Sequence, residues 1–177
     1  TSASAYHLKI DESMPLRADF DDVELHTDDR YIYWADDEKE LRIRPEISVK
    51  PSLGKQPEIV LRKRARGKNR ELAGINASAI QYSWKQNDSL LVLSPYFAFP
   101  KAEMWRFHKL ELVLRLPLNS KVYLNDNLYD YLEDTRNLED MWTSEMPGKL
   151  WKVREEGLAL DRKRGEVKID SNEVNDA

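Results

Sequence analysis

Between Arg62 and Arg70 the chain carries six cations and no acid. Guanidinium groups present paired N–H donors that fit phosphate oxygens. On an extended strand Arg62, Arg64 and Arg66 would share one face, a row suited to an anionic partner. Beside a membrane that partner would be anionic lipid headgroups. The plainer account is a solvated strand face balanced by the acidic stretch Asp19 to Glu40, which is how mixed-charge surfaces usually behave. No aromatics interleave the run and the net charge is −4, so nucleic acid is not an expected partner.

Other candidates carry less chemistry. His26 with Asp28 and Asp29 has ligand types that suit a divalent cation, but the spacing fits a solvated acidic turn better. Asn125, Asp126, Asn127 and Asp130 lack the glycine and closing glutamate of a calcium loop, so helix capping explains them. With five tryptophans and eight tyrosines, a sugar-stacking platform is conceivable. Trp34, Trp84 and Trp105, however, sit at strand positions with core parity. Trp142 lies outside any clear strand and is the best candidate for an exposed aromatic contact, although large aromatics are usually buried. His108 reads as a structural histidine at a bulge. The absence of cysteine removes disulfides, thiolate metal sites and a cysteine nucleophile. No serine has a histidine at motif spacing and no glycine-rich phosphate loop is present. Neither enzymatic activity, a cofactor nor a metal is expected.

The elements that would position these residues are mostly strands. At 177 residues, with 41% apolar and 34% charged, the chain can fold as one domain with a proper core. No run approaches the roughly 18 apolar residues needed to span a bilayer. An internal echo organises it: Trp34, Leu41, Ile43, Pro45 and Ile47 recur as Trp84, Leu91, Leu93, Pro95 and Phe97. Each copy, at 31–49 and 81–99, reads as a short strand ending in tryptophan, a polar turn and a longer strand. Leu90 to Leu93, apolar on both faces, reads as a central strand.

Leu110, Leu112, Leu114 and Leu116 alternate with Lys109, Glu111, Val113 and Arg115, the clearest strand in the chain. Leu150 to Val153 and Leu158 to Leu160 flank a hairpin loop. Helical spacing places Leu72, Ile75 and Ala79 on one face, expected to pack on a sheet, with Asn69 as the cap. A second helix is expected over Asp126 to Thr135. The expected fold is mainly β, with antiparallel sheets in a sandwich-like layered arrangement and two short helices. A short β-solenoid is the alternative, because a repeated strand pair can also stack. One domain is expected over residues 1–161, with 162–177 a disordered charged tail.

The order of features from Lys63 to Leu160 resembles the C-terminal region of phage-shock-protein-C (PspC)-domain envelope proteins of Gram-negative bacteria. The resemblance is carried by Ala65 to Gly67, Ala73 and Ala77, Ile80 to Tyr82, Asn87 to Leu90 and Pro95 to Phe97. It continues through Trp105 and Arg106, Leu112 to Pro117, Val122 to Leu124, Asn137, Met141 and Trp142. Met146, Gly148, Trp151, Gly157 and Leu158 close it. It implies a β-rich extracytoplasmic domain tethered by membrane spans that are not part of this chain. It further implies a sensing or interaction role in envelope stress, with an envelope or membrane protein as partner. The competing expectation is an adhesin-like or glycan-binding β-module.

Overall fold

The computed structural model describes residues 5–13, 25–27, 30–33, 40–100 and 106–162. Three sheets carry the fold. The six-stranded sheet runs in the order β13 (Gly157–Leu160), β12 (Lys149–Arg154), β11 (Lys121–Leu124), β1 (Ala5–Ile10), β8 (Leu90–Leu93), β7 (Trp84–Asn87). The three-stranded sheet is β5 (Glu46–Ser52), β10 (Lys109–Pro117), β6 (Glu58–Arg64). The four-stranded sheet is β2 (Leu25–Thr27), β3 (Arg30–Tyr33), β4 (Glu40–Ile43), β9 (Phe97–Pro100). Helix α1 (Arg70–Ser78) follows β6 in the chain.

Alternation fixes which face each strand buries. Leu110, Leu112, Leu114 and Leu116 of β10 are all essentially inaccessible, and each contributes about 1.5–3 kcal/mol by leaving water. Leu112 and Leu114 meet Ile47 and Val49 of β5, and Tyr6, Leu8, Leu91, Val122 and Trp151 of the six-stranded sheet join the same core. A smaller core gathers Leu41, Ile43, Phe97 and Phe99 of the four-stranded sheet with Ile80 and Leu110. Two sheets thus enclose the large core, and the four-stranded sheet closes the small one.

The fold is mainly β as expected, and parallel pairs join the antiparallel ones. β1 pairs in parallel with both β8 and β11, and β5 pairs in parallel with β10, so two of the three sheets are mixed. The cause lies in the proline positions of the echo. Each expected long strand breaks at its proline: β4 gives way to β5 at Pro45, and β8 to β9 around Pro95. Proline cannot donate to a ladder, and at both places the chain leaves one sheet for another. The chain visits the six-, four- and three-stranded sheets in that order, repeats the circuit, and finishes in the six-stranded sheet. That itinerary belongs to a solenoid, while the shared cores belong to packed layers. The second hairpin is also tighter than expected: β7 begins at Trp84 instead of ending there, and Asp88 at φ 52 makes the turn.

The helices depart from expectation in two ways. Asp126 to Thr135 forms one 3-10 turn, Asp126–Leu128, capped by the Asn125 side chain. Helix α1 forms with Asn69 as its cap, but it buries Asn76 and Ala77 and leaves Leu72 and Ile75 exposed. Gly67 decides this: a Cβ there would lie 2.4 Å from the Ala73 nitrogen, so the chain before the helix presses against that turn. The buried Asn76 amide then donates to the Arg66 carbonyl at 2.8 Å.

Candidate functional site

The outer face of the three-stranded sheet collects most of the charge of interest. On β10, Glu111 stands between Arg62 of β6 and Glu46 of β5, and Lys109 stands opposite Arg64. Lys109 Nζ bridges the two carboxylates, 3.0 Å from Glu111 and 3.2 Å from Glu46. Arg64 reaches Glu111 at 3.8 Å. Burial pushes the Glu111 carboxyl up, but the Lys109 hydrogen bond and the charges of Lys109, Arg64 and Arg62 outweigh it and hold the carboxyl below its ordinary value. A groove of about 440 Å³ lies over Ser48 and Val113, rimmed by Arg62, Arg115, Lys50 and acids.

The two edges of this sheet differ. Residues 131–135 run along β5: Ile47 N donates to the Tyr131 carbonyl, Glu133 N to the Ile47 carbonyl, and Val49 N to Thr135 Oγ1. Lys50 Nζ adds bonds to the Asp134 carbonyl and carboxylate. On the opposite edge, no strand among the described residues pairs with the outer side of β6.

The predicted arginine row is therefore only partly assembled. Arg62 and Arg64 share the solvent face of β6, but the strand ends at Arg64. Arg66 lies beyond it, its guanidinium 4.1 Å from the Phe107 ring centre. The counter-charge at Arg64 comes from Glu111 on the neighbouring strand, a partner not identified from the sequence. The acidic stretch from Asp19 to Glu40, the expected source of balance, falls mostly outside the described residues.

Beneath α1, His108 is fully buried and stacks on Phe99 at 3.7 Å. Its Nδ1 accepts the Arg106 N–H at 3.1 Å. Burial lowers its pKa to about 4, against an opposing backbone interaction at Asn76 and with a smaller push from the Arg106 charge, so it serves as a neutral packing group at physiological pH. His7 lies edge-on to Tyr123 at 5.0 Å, and its Nε2 is 3.2 Å from the Asn125 amide nitrogen.

Trp142 is 78% exposed. Its backbone is pinned instead: its N–H donates to Glu145 Oε2, and its carbonyl accepts from Glu145 N. Trp84, expected to pack in the core, is half exposed on an edge strand. Trp34, Trp105, Asp28 and Asp29 lie outside the described residues. Asn127, read from sequence as a cap, also clamps β1, exchanging bonds with Ile10 N and the Ile10 carbonyl. Among the described residues no cluster of His, Asp or Glu could hold a metal ion. A larger hollow of about 620 Å³ lies over β11–β13. Two of its four cations are engaged in ion pairs, Lys121 with Asp161 at 2.6 Å and Arg162 with Glu139 at 2.7 Å.

No helix among the described residues is long and apolar enough to cross a membrane. No curated protein and no solved structure matches the chain. A family model does, over residues 35–162, from just after Trp34 to the last described residue beyond β13, and its description is a ToastRack domain found in some PspC proteins. That span takes in most of the first copy of the echo, all of the second, the basic strand, α1 and the closing hairpin, and the β-rich architecture agrees with it. The chain belongs to the family of ToastRack domains found at the C-terminus of some PspC proteins.

Proposed function

We propose that this ToastRack domain is a non-enzymatic interaction module on the extracytoplasmic side of a PspC-type membrane protein, sensing the envelope by binding an envelope or membrane protein. The observation that carries the reading is β6, an edge strand with Arg62 and Arg64 standing on its solvent face. An extended acidic segment of a partner can add to such an edge, with backbone hydrogen bonds supplying affinity and the arginines selecting acidic side chains. The carboxylates beside them support a binding role. Lys109 ties Glu46 and Glu111 into ion pairs, which orders the charged face beside the edge.

The test is a photo-crosslinking residue at Val60, on the same face of β6 as Arg62, in cells making the intact membrane protein. Adducts to a second protein are expected, falling about tenfold when Arg62→Glu and Arg64→Glu are combined. Adducts indifferent to that double change would remove the basic edge from the account. The exposure of Trp142 favours a second reading, an adhesin-like or glycan-binding module. Glycans that quench tryptophan fluorescence only while Trp142 is present would move the assignment to that face.

A further inference from the structure

We infer that α1 and the turn leading into it form a docking surface for an anionic lipid bilayer. The structure divides the basic run into two groups with different settings. Arg62 and Arg64 belong to the sheet face, whereas Arg66, Lys68 and Arg70 are exposed around the start of α1. Over 62–78 the only acid is Glu71, so this end is cationic on a protein whose net charge is −4.

Apolar side chains are exposed at the same end. Leu72 and Ile75 are 40% and 55% exposed, and helical spacing puts them on one flank of α1. Phe107 is 42% exposed beneath the Arg66 guanidinium. Its backbone sits at φ 56, a left-handed conformation that is costly for a bulky residue and that concentrates at ligand-contacting sites. The arrangement is held from within. Arg66 N donates to the Arg106 carbonyl, and the buried Asn76 amide holds the Arg66 carbonyl.

Charge and shape favour a bilayer over a protein partner. The surface is a helix flank, and neither hollow described above includes a residue of α1. A protein interface needs a complementary packed centre. A bilayer interface instead accepts scattered apolar anchors in the headgroup region, with cations at the phosphate level. The acidic remainder of the domain would turn away from the same surface, fixing an orientation. The proposal goes beyond the reading of β6 and needs no protein partner, so either can fail without the other.

The test uses the 177-residue chain with vesicles of phosphatidylcholine alone or mixed with phosphatidylglycerol. Co-sedimentation with the mixed vesicles is expected, and it should weaken about tenfold on raising salt from about 0.05 M to about 0.5 M. Lys68→Glu with Arg70→Glu should weaken it by about tenfold, and Leu72→Ser with Ile75→Ser by a similar factor. Acidic residues near a helix N-terminus preserve the helix, and the apolar pair is exposed, so both variants should keep the wild-type thermal midpoint. Because the chain lacks cysteine, Ile75→Cys and Leu53→Cys can each carry a single environment-sensitive dye. Leu53 lies beyond the far end of β6, about 20 Å away along the strand. A blue shift at Ile75 and none at Leu53 supports the proposal. Equal binding to neutral vesicles, variants that bind as wild type, or equal shifts at both dyes would overturn it.

Discussion

The large core is walled by aliphatic side chains around Trp151, whose indole N–H donates to the Met146 carbonyl at 3.0 Å. The small core sets Phe97 and Phe99 against Leu41, Ile43 and Leu110, with His108 stacked on Phe99 and Asn76 buried in α1 nearby. The large core is almost wholly apolar, whereas the small one has polar side chains built into its roof. The difference follows from what each must hold. The large core joins two sheets by shape alone, whereas the small one must fix a short helix and the turn before it in one orientation. Buried polar groups specify orientation when their partners are met, and they make the region sensitive to pH and to loss of a single partner.

The widest gap should come from Trp151→Ala, which removes the largest fully buried side chain. A loss of about 3–5 kcal/mol is expected in denaturant unfolding. A loss below about 1 kcal/mol would show that the large core is looser than its packing implies.

His108 gives the next effect. Its folded pKa, about 4, lies below the ordinary value, so the unfolded chain binds the proton first as pH falls. The stability contributed by the neutral ring is complete above the unfolded pKa and is lost progressively from about pH 6.5 toward about pH 4, in total up to about 3 kcal/mol. Urea midpoints at pH 7 and pH 4.5 should therefore separate more in the wild type than in His108→Gln. Equal separations would mean that the ring stays solvated. The smallest effect belongs to Asn76→Ala, about 1–2 kcal/mol for leaving the Arg66 carbonyl without its buried donor. Amide exchange should quicken over 66–73 while the large core stays protected. Uniform quickening would mean that the two cores unfold as one.

Legibility differed between these regions in the same physical terms. The leucines of β10 and the β12–β13 hairpin could be read directly, because an alternating strand with one buried face has only one register. The Asn69 cap was equally readable. Alternation does not reveal when a strand changes sheet, so the corners at Pro45 and Pro95 passed as interior positions. The grouping of Leu72, Ile75 and Ala79 on one helical flank was right, but its burial was not. Gly67 and the Asn76 amide orient the helix, and neither a glycine nor an asparagine announces such a contact in a single sequence. On the candidate face, Arg62 and Arg64 were readable as neighbours. Glu111, Lys109 and Asp134 became their setting only through long-range pairing that no local pattern encodes.

Strand β1 lies between β8 and β11, in parallel with both, although most of the chain separates it from β11. During synthesis Tyr6, Leu8 and Ile10 are made long before β11 and find their second neighbour only after residue 124 has been added. Pairings so distant in sequence form slowly and leave apolar surface open meanwhile. Strand β1 is thus the keystone set last, and this domain must be shielded from aggregation until β11 has been made.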